Sequence, residues 1–207
     1  MRFVGLTGGF GSGKSLVANL LEEEGAVIID ADQLARDVVV PGEAAYQKIV
    51  TYFGTNILLE NGEINRKGLA EIVFNDSEKL AQLNAIVHGE IEKKRNYLSN
   101  RYMQIKHIDI VVYSAPLLFE NQMNSMFQKV VLVTISEETR MKRLMQFRNF
   151  SRDEILARLK HQLTQEEKIQ RADYLIDNEG SVENTKEQTK KIFRQLQQLP
   201  KYSPATF

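Results

Sequence analysis

GLTGGFGSGKSL, running from Gly5 to Leu16, gathers glycines at Gly8, Gly9, Gly11 and Gly13 and follows them with a lysine and a serine. Gly8 to Ser15 fits the pattern G-x-x-x-x-G-K-[ST] at every position. The pattern carries weight only between a strand and a helix. Both flanks supply that setting. Arg2 to Leu6 is a short apolar run suited to a buried strand, while Leu16, Val17, Leu20 and Leu21 stripe one face of a helix that Gly25 would end. Glycines let backbone N–H groups turn inward at φ angles other residues avoid, forming a cradle for phosphate oxygens, and the helix N-terminus adds partial positive charge. Gly8, Gly9, Gly11, Ser12, Gly13, Lys14, Ser15 and Leu16 are therefore the expected nucleotide-binding residues. Lys14 is expected to reach the β- and γ-phosphates and the Ser15 hydroxyl to bind Mg²⁺, which makes ATP and Mg²⁺ the expected cofactors.

The pattern repeats outward from this loop. Ala26 to Asp30, part of His107 to Glu120, Lys129 to Ile135 and Asp173 to Asp177 read as further buried strands. Pro116 stops the third. Helices are expected between them: one from about Glu137, one opened by the capping box Ser151 to Glu154 with Ile155, Leu159 and Leu163 on one face, and a last one carrying Ile192, Leu196 and Leu199. The end after Pro200 is expected to fray. Continuous apolar strands alternating with helices imply an α/β parallel sheet covered on both faces. The stretch from about Pro41 to Arg101 is helical and more polar, with stripes at Leu69, Ile72 and Val73 and at Leu80, Leu83, Val87 and Ile91. It is too long for a simple crossover and reads as an insertion beside the carboxyl edge of the sheet, where ligands bind in such folds.

Bulk properties narrow the function. The 207 residues suit one compact domain, or a core with a small insertion. Lys+Arg and Asp+Glu are both 27, so a general nucleic-acid or membrane-surface binder, with its basic excess, is not expected. The absence of cysteine excludes a disulfide framework, a thiolate metal site and a cysteine nucleophile, and fits a reducing cytoplasm. No signal peptide is expected ahead of the first strand, and no apolar run approaches the ~18 residues of a membrane span.

P-loops serve switches, motors and kinases. A guanine-reading N-K-x-D is missing, and Asp177 to Gly180, which matches D-x-x-G, falls too late in the chain for a switch. Where a motor would end a strand in an acid, Ser114-Ala115-Pro116 follow instead. A small-molecule kinase places a carboxylate near the second strand, and DADQLAR, Asp30 to Arg36, supplies one. Such a group can orient an acceptor hydroxyl and take its proton. Asp32 lies beyond the strand end and is the candidate, and also a second candidate for holding Mg²⁺. The alternative is that Asp30 or Asp32 caps the next helix.

Taken together, these residues resemble the dephospho-coenzyme A kinase family. The resemblance spans nearly the whole sequence, through VGLTGGFGSGKS, DADQLAR, INRKGLAEIVF, LNAIVHGEI, APLLFE and RADYLIDNEGS. It implies ATP-dependent phosphorylation of the ribose 3′-hydroxyl of dephospho-CoA. It also implies a P-loop kinase fold with a parallel five-stranded sheet flanked by helices, a helical acceptor-binding insertion and a mobile lid. On that basis residues of about 1–40, 105–140 and 170–207 form the core, about 41–104 the insertion and about 141–169 the lid of one domain. By position, Asp32 resembles the catalytic base, Arg36 and His88 acceptor-site residues, Arg140 an arginine on the ATP phosphates and Asn178 a residue near the adenine. Leu117 and Leu118 would line the acceptor pocket with Glu120 at its edge. Gln162 also matches a family position. A small-molecule substrate, no nucleic-acid or membrane partner, and a monomer or weak homo-oligomer are expected. The chain departs from the family pattern at Asn65, where Asp is commoner, at Gly89, which follows His88 in place of proline, and at Phe147, which stands where a lid arginine is usual and is followed by Arg148.

Overall fold

The structure is a computed structural model that describes residues 1–201. The expected frayed end from Tyr202 onward lies outside the described residues. In chain order the elements are β1 Arg2–Gly8, α1 Lys14–Glu23, β2 Val27–Asp30, α2 Ala31–Asp37, α3 Ala44–Phe53, α4 Arg66–Phe74, α5 Ser77–Met103, β3 Ile110–Ser114, β4 Lys129–Thr134, α6 Glu137–Arg148, α7 Arg152–Leu159, α8 Gln165–Ile169, β5 Tyr174–Asp177 and α9 Val182–Leu196. The strands form one five-stranded sheet in the order β2-β3-β1-β4-β5. β1 runs parallel to β3 and to β4, and β4 runs parallel to β5. Leu6 stands opposite Ser114, Gly8 opposite Val133 and Thr134 opposite Asp177, so the carboxyl ends of these four strands share one edge.

Alternation along β1 explains its central place. Val4 and Leu6 point to one face and pack with Val17 and Leu21 of α1 and Ile192 and Leu196 of α9. Phe3 and Gly5 point to the other. Gly5 is glycine for want of room: a Cβ there would lie 2.7 Å from Leu118 Cδ1 and 2.9 Å from Phe127 Cδ2.

The chain divides into two compact units, residues 1–29 with the residues from Tyr102 onward, and Asp30–Arg101. The second is helical. Its core is Ile49, Ile57, Ile64, Leu69 and Val73, with Leu83, Ile86 and Val87 against it. Ile72 and Leu80, expected on the same stripes, face solvent. Asn65 caps α4, its Oδ1 accepting the Gly68 N–H at 3.0 Å, so this departure from the family pattern keeps the capping function of an aspartate. α5 passes through Gly89 without a break.

In the first unit, α7 ends at Leu159, and Leu163 lies beyond it rather than on its buried face. A second capping box, Thr164 with Glu167, opens α8 immediately afterwards. The T-x-x-E spacing was present in the sequence, and it restarts the helix instead of extending the previous one.

Candidate active site

The glycine loop is built as a cradle. Gly13 caps α1 at φ 92° and Gly11 sits at φ 77°, both in the left-handed region. Space is as short as conformation: a Cβ on Gly13 would lie 2.0 Å from Asn178 Nδ2, and one on Gly11 would lie 2.6 Å from Leu144 Cδ1. Ser12 is buried, its N–H donating to Gly9 O at 2.9 Å, and it shapes the loop from within. The Leu16 N–H likewise turns back to Gly13 O. Lys14 Nζ donates to Ser114 Oγ at 2.7 Å, joining the loop to the carboxyl end of β3. Ser15 is exposed at the first turn of α1, with its hydroxyl at the positive end of the helix.

Asn178, expected near the adenine, has its side chain fully engaged inside the protein. It is 4% exposed, its Nδ2 donates to Ser12 O at 2.9 Å, and its Oδ1 accepts from Thr185 Oγ1 at 3.0 Å. It braces the loop from behind. Arg143 holds the following turn, donating to the carbonyls of Asn178, Glu179 and Gly180 at 2.9, 3.2 and 3.3 Å. The Glu179 carboxylate accepts from the Thr139 hydroxyl and from the Ser136 N–H and hydroxyl, and these bonds with nearby Arg143 hold its carboxyl below the ordinary value.

Arg140 stands over the entrance of the loop. A Cβ on Gly9 would lie 3.5 Å from both Arg140 Nη2 and Gln162 Oε1. Arg140 Nη2 donates to Gln165 Oε1 at 3.3 Å, while its Nε is buried with no hydrogen-bond partner. Burial lowers its pKa, and Glu137 and Glu166 oppose that shift. A half-buried guanidinium with donor capacity to spare beside a phosphate cradle is suited to an anion. Gly9, Arg140, Gln162 and Gln165 line a cavity of about 280 Å³ with the end of β4.

Gln162, which matched a family position in the sequence, has a definite partner. Its Oε1 accepts the backbone N–H of Phe10, inside the glycine loop, at 2.9 Å. The next residue is held as well. The Leu163 N–H donates to Glu120 Oε1 at 2.9 Å, and that oxygen pairs with Lys168 Nζ at 2.9 Å. Glu120, expected at the rim of an acceptor pocket, thus clasps the α7–α8 connection through a lysine that is 1% exposed. Leu118 is fully buried against Gly5 and belongs to the core. Leu117 is half-buried and remains the member of that pair able to meet a ligand.

Within the second unit the alternatives for the two acids separate. Asp30 is the N-cap of α2, its Oδ1 accepting the Gln33 N–H at 2.9 Å. Asp32 lies in the first turn with an exposed side chain, and Arg36 follows one turn later, also exposed. His88 is exposed near the middle of α5.

A family model described as dephospho-CoA kinase matches residues 2–184. The chain belongs to the dephospho-CoA kinase family. A dephospho-CoA kinase of Carboxydothermus hydrogenoformans is 48% identical over 186 residues, 89% of each chain. A crystal structure of a Thermus thermophilus protein superposes with a TM-score of 0.78 at 33% identity, over 94% of this chain and 97% of that one. The dephospho-CoA kinase from Campylobacter jejuni gives a TM-score of 0.63 at 28% identity over the same shares. Within the dephospho-CoA kinase frame, the loop, Lys14, Ser15 and Arg140 form one constellation in the first unit, together with Gln162, whose role no local pattern in the sequence announces.

Proposed function

We propose that this chain transfers the γ-phosphoryl group of ATP to the ribose 3′-hydroxyl of dephospho-CoA, giving coenzyme A and ADP, the last step of coenzyme A synthesis. The observation that carries the reading is a formed phosphate cradle, with Lys14 drawn to the end of β3 and Arg140 beside Gly9, in a chain matched to the family over residues 2–184. Backbone donors and Lys14 hold the β- and γ-phosphates, and Arg140 adds charge where it develops during transfer. Asp32, exposed and free of capping, takes the proton of the acceptor hydroxyl. Arg36, His88 and Leu117 contribute to acceptor binding.

Mg²⁺ would be held as part of a nucleotide complex by the Ser15 hydroxyl, with Asp32 the other candidate oxygen donor named from the sequence. Among the described residues no group of three or more His, Cys, Asp or Glu is gathered to hold a metal by itself. When bound, the ion would neutralise part of the negative charge of the nucleotide phosphates. A cytoplasmic setting and a monomer or weak homo-oligomer complete the proposal. None of the helices of the described residues is long and apolar enough to cross a membrane.

The test is incubation of the purified protein with Mg·ATP and dephospho-CoA, following ADP and coenzyme A together by mass-resolved chromatography, with adenosine and AMP as control acceptors. Coenzyme A formed in step with ADP, with little transfer to the controls, is the expected result. ADP formed only with a control acceptor would overturn the acceptor assignment.

A further inference from the structure

The arginines of α6 and α7 differ in what holds them. Arg143 is committed to three backbone carbonyls. Arg148 ends α6 with an exposed side chain. Arg158, on α7, is solvent-facing yet fixed. Its Cζ lies 4.9 Å from the centroid of the Phe10 ring and 4.8 Å from that of Phe150. The two rings meet edge to face, 5.2 Å apart at 82°. Phe10 occupies a position that the glycine motif leaves unspecified, at the tip of the phosphate cradle. Its backbone is already gripped by Gln162. α7 and the connection after it therefore hold the same loop residue twice, Arg158 by its ring and Gln162 by its N–H.

An aromatic face orients a guanidinium without consuming its N–H donors, whereas a carboxylate would occupy them. Among the described residues Arg158 makes no ion pair within 4.0 Å. Its charge acts at longer range on the Glu154 carboxylate one turn before it, and among the described residues its donor fork forms no hydrogen bond, so the fork is available beside the cradle. We propose that Arg158 is a further phosphate-contacting residue of this kinase, and that Phe10 is the positioning residue that, with Phe150, carries it to the transferred phosphoryl group. The loop that binds ATP anchors the arginine that meets its terminal phosphate. This rests on the kinase reading above.

The test compares Arg158→Ala, Arg158→Lys, Phe10→Leu and the double variant Phe10→Leu/Arg158→Ala with the parent protein. It measures kcat, both KM values, melting temperature, and calorimetric affinity for Mg·ADP and a non-hydrolysable ATP analogue. Arg158→Ala is expected to lower kcat by on the order of 10²-fold while leaving the KM for dephospho-CoA within about twofold. It should weaken the ATP analogue more than ADP, because only the former carries the γ-phosphate. Arg158→Lys should recover little, since an ammonium lacks the flat fork. Phe10→Leu should lower kcat by about tenfold and add little in the Arg158→Ala background. A kcat for Arg158→Ala within about threefold of the parent overturns the proposal. So does equal weakening of ADP and ATP analogue, or losses from the two single variants that multiply. If the parent protein makes no coenzyme A, the kinase reading fails on its own, and the comparison of ADP with the ATP analogue still decides the role of Arg158.

Discussion

The Lys14 ammonium donates a 2.7 Å hydrogen bond to the Ser114 hydroxyl, tying the lysine of the phosphate cradle to the last residue of β3. The two residues are expected to separate on mutation. Lys14→Ala should lower kcat by on the order of 10³-fold, because charge stabilisation of the transferred group is lost. Ser114→Ala should lower kcat by less than tenfold and stability by about 1 kcal/mol, the worth of one buried hydrogen bond. Steady-state kinetics and urea unfolding of both variants check this.

Asp30 and Asp32 should divide stability from turnover. Asp30→Ala removes the cap of α2 and should cost about 1 kcal/mol. Asp32→Asn keeps that cap and should leave the unfolding midpoint nearly unchanged while lowering kcat by about 10² or more. An Asp32→Asn protein with near-parental turnover would sink its assignment as base.

Gln162 places a neutral acceptor against the Phe10 N–H. Gln162→Glu preserves size and puts a negative charge beside the phosphate site. The KM for ATP should rise by about tenfold, a magnitude in keeping with one partly screened unit charge a few ångströms away. The KM for dephospho-CoA should move less. Measuring both constants at two salt concentrations tests the electrostatic origin, since added salt should narrow the gap.

Gly89 sits inside α5 with open space where a Cβ would be. Gly89→Ala should therefore raise stability by roughly 0.5–1 kcal/mol, through higher helix propensity and a less disordered unfolded chain. Thermal or chemical unfolding reads this directly.

Acid should loosen α7 and α8. Hydrogen bonds from the Ser151 backbone and hydroxyl hold Glu154 below its ordinary 4.5, and bonds from Thr164 do the same for Glu167. A carboxyl whose folded pKa lies below its unfolded value contributes stability that is fully present above about pH 4.5 and lost as pH falls through the folded value. The double variant Glu154→Gln/Glu167→Gln should be less stable at neutral pH and should lose less on acidification. Melting temperature followed from pH 7 down to about 3 distinguishes the two proteins.

The cradle was legible because its chemistry is local: glycines at fixed spacing, between a strand and a helix, define a backbone shape before any tertiary contact forms. The five strands were legible as apolar runs for the same reason. The supports of the site were not. Asn178 reaches Ser12 across 166 residues and Gln162 reaches Phe10 across 152, and no periodicity records such pairs. Leu118 looked like a pocket residue because its neighbours in sequence resemble a pocket motif, yet the missing side chain of Gly5 draws it into the core. The choice between Asp30 and Asp32 as cap was open in the sequence and turned on where β2 gave way to α2.

The brace behind the loop bears on how the protein is made. Translation produces β1 before either of its sheet neighbours, β3 and β4, and the Asn178–Thr185 pair that supports Ser12 emerges later still. The nascent chain therefore carries a complete glycine motif with no rigid wall behind it for on the order of ten seconds. Nucleotide binding then arrives as a late event of synthesis, when α9 has docked, and a chain released before Thr185 would hold the motif without the site.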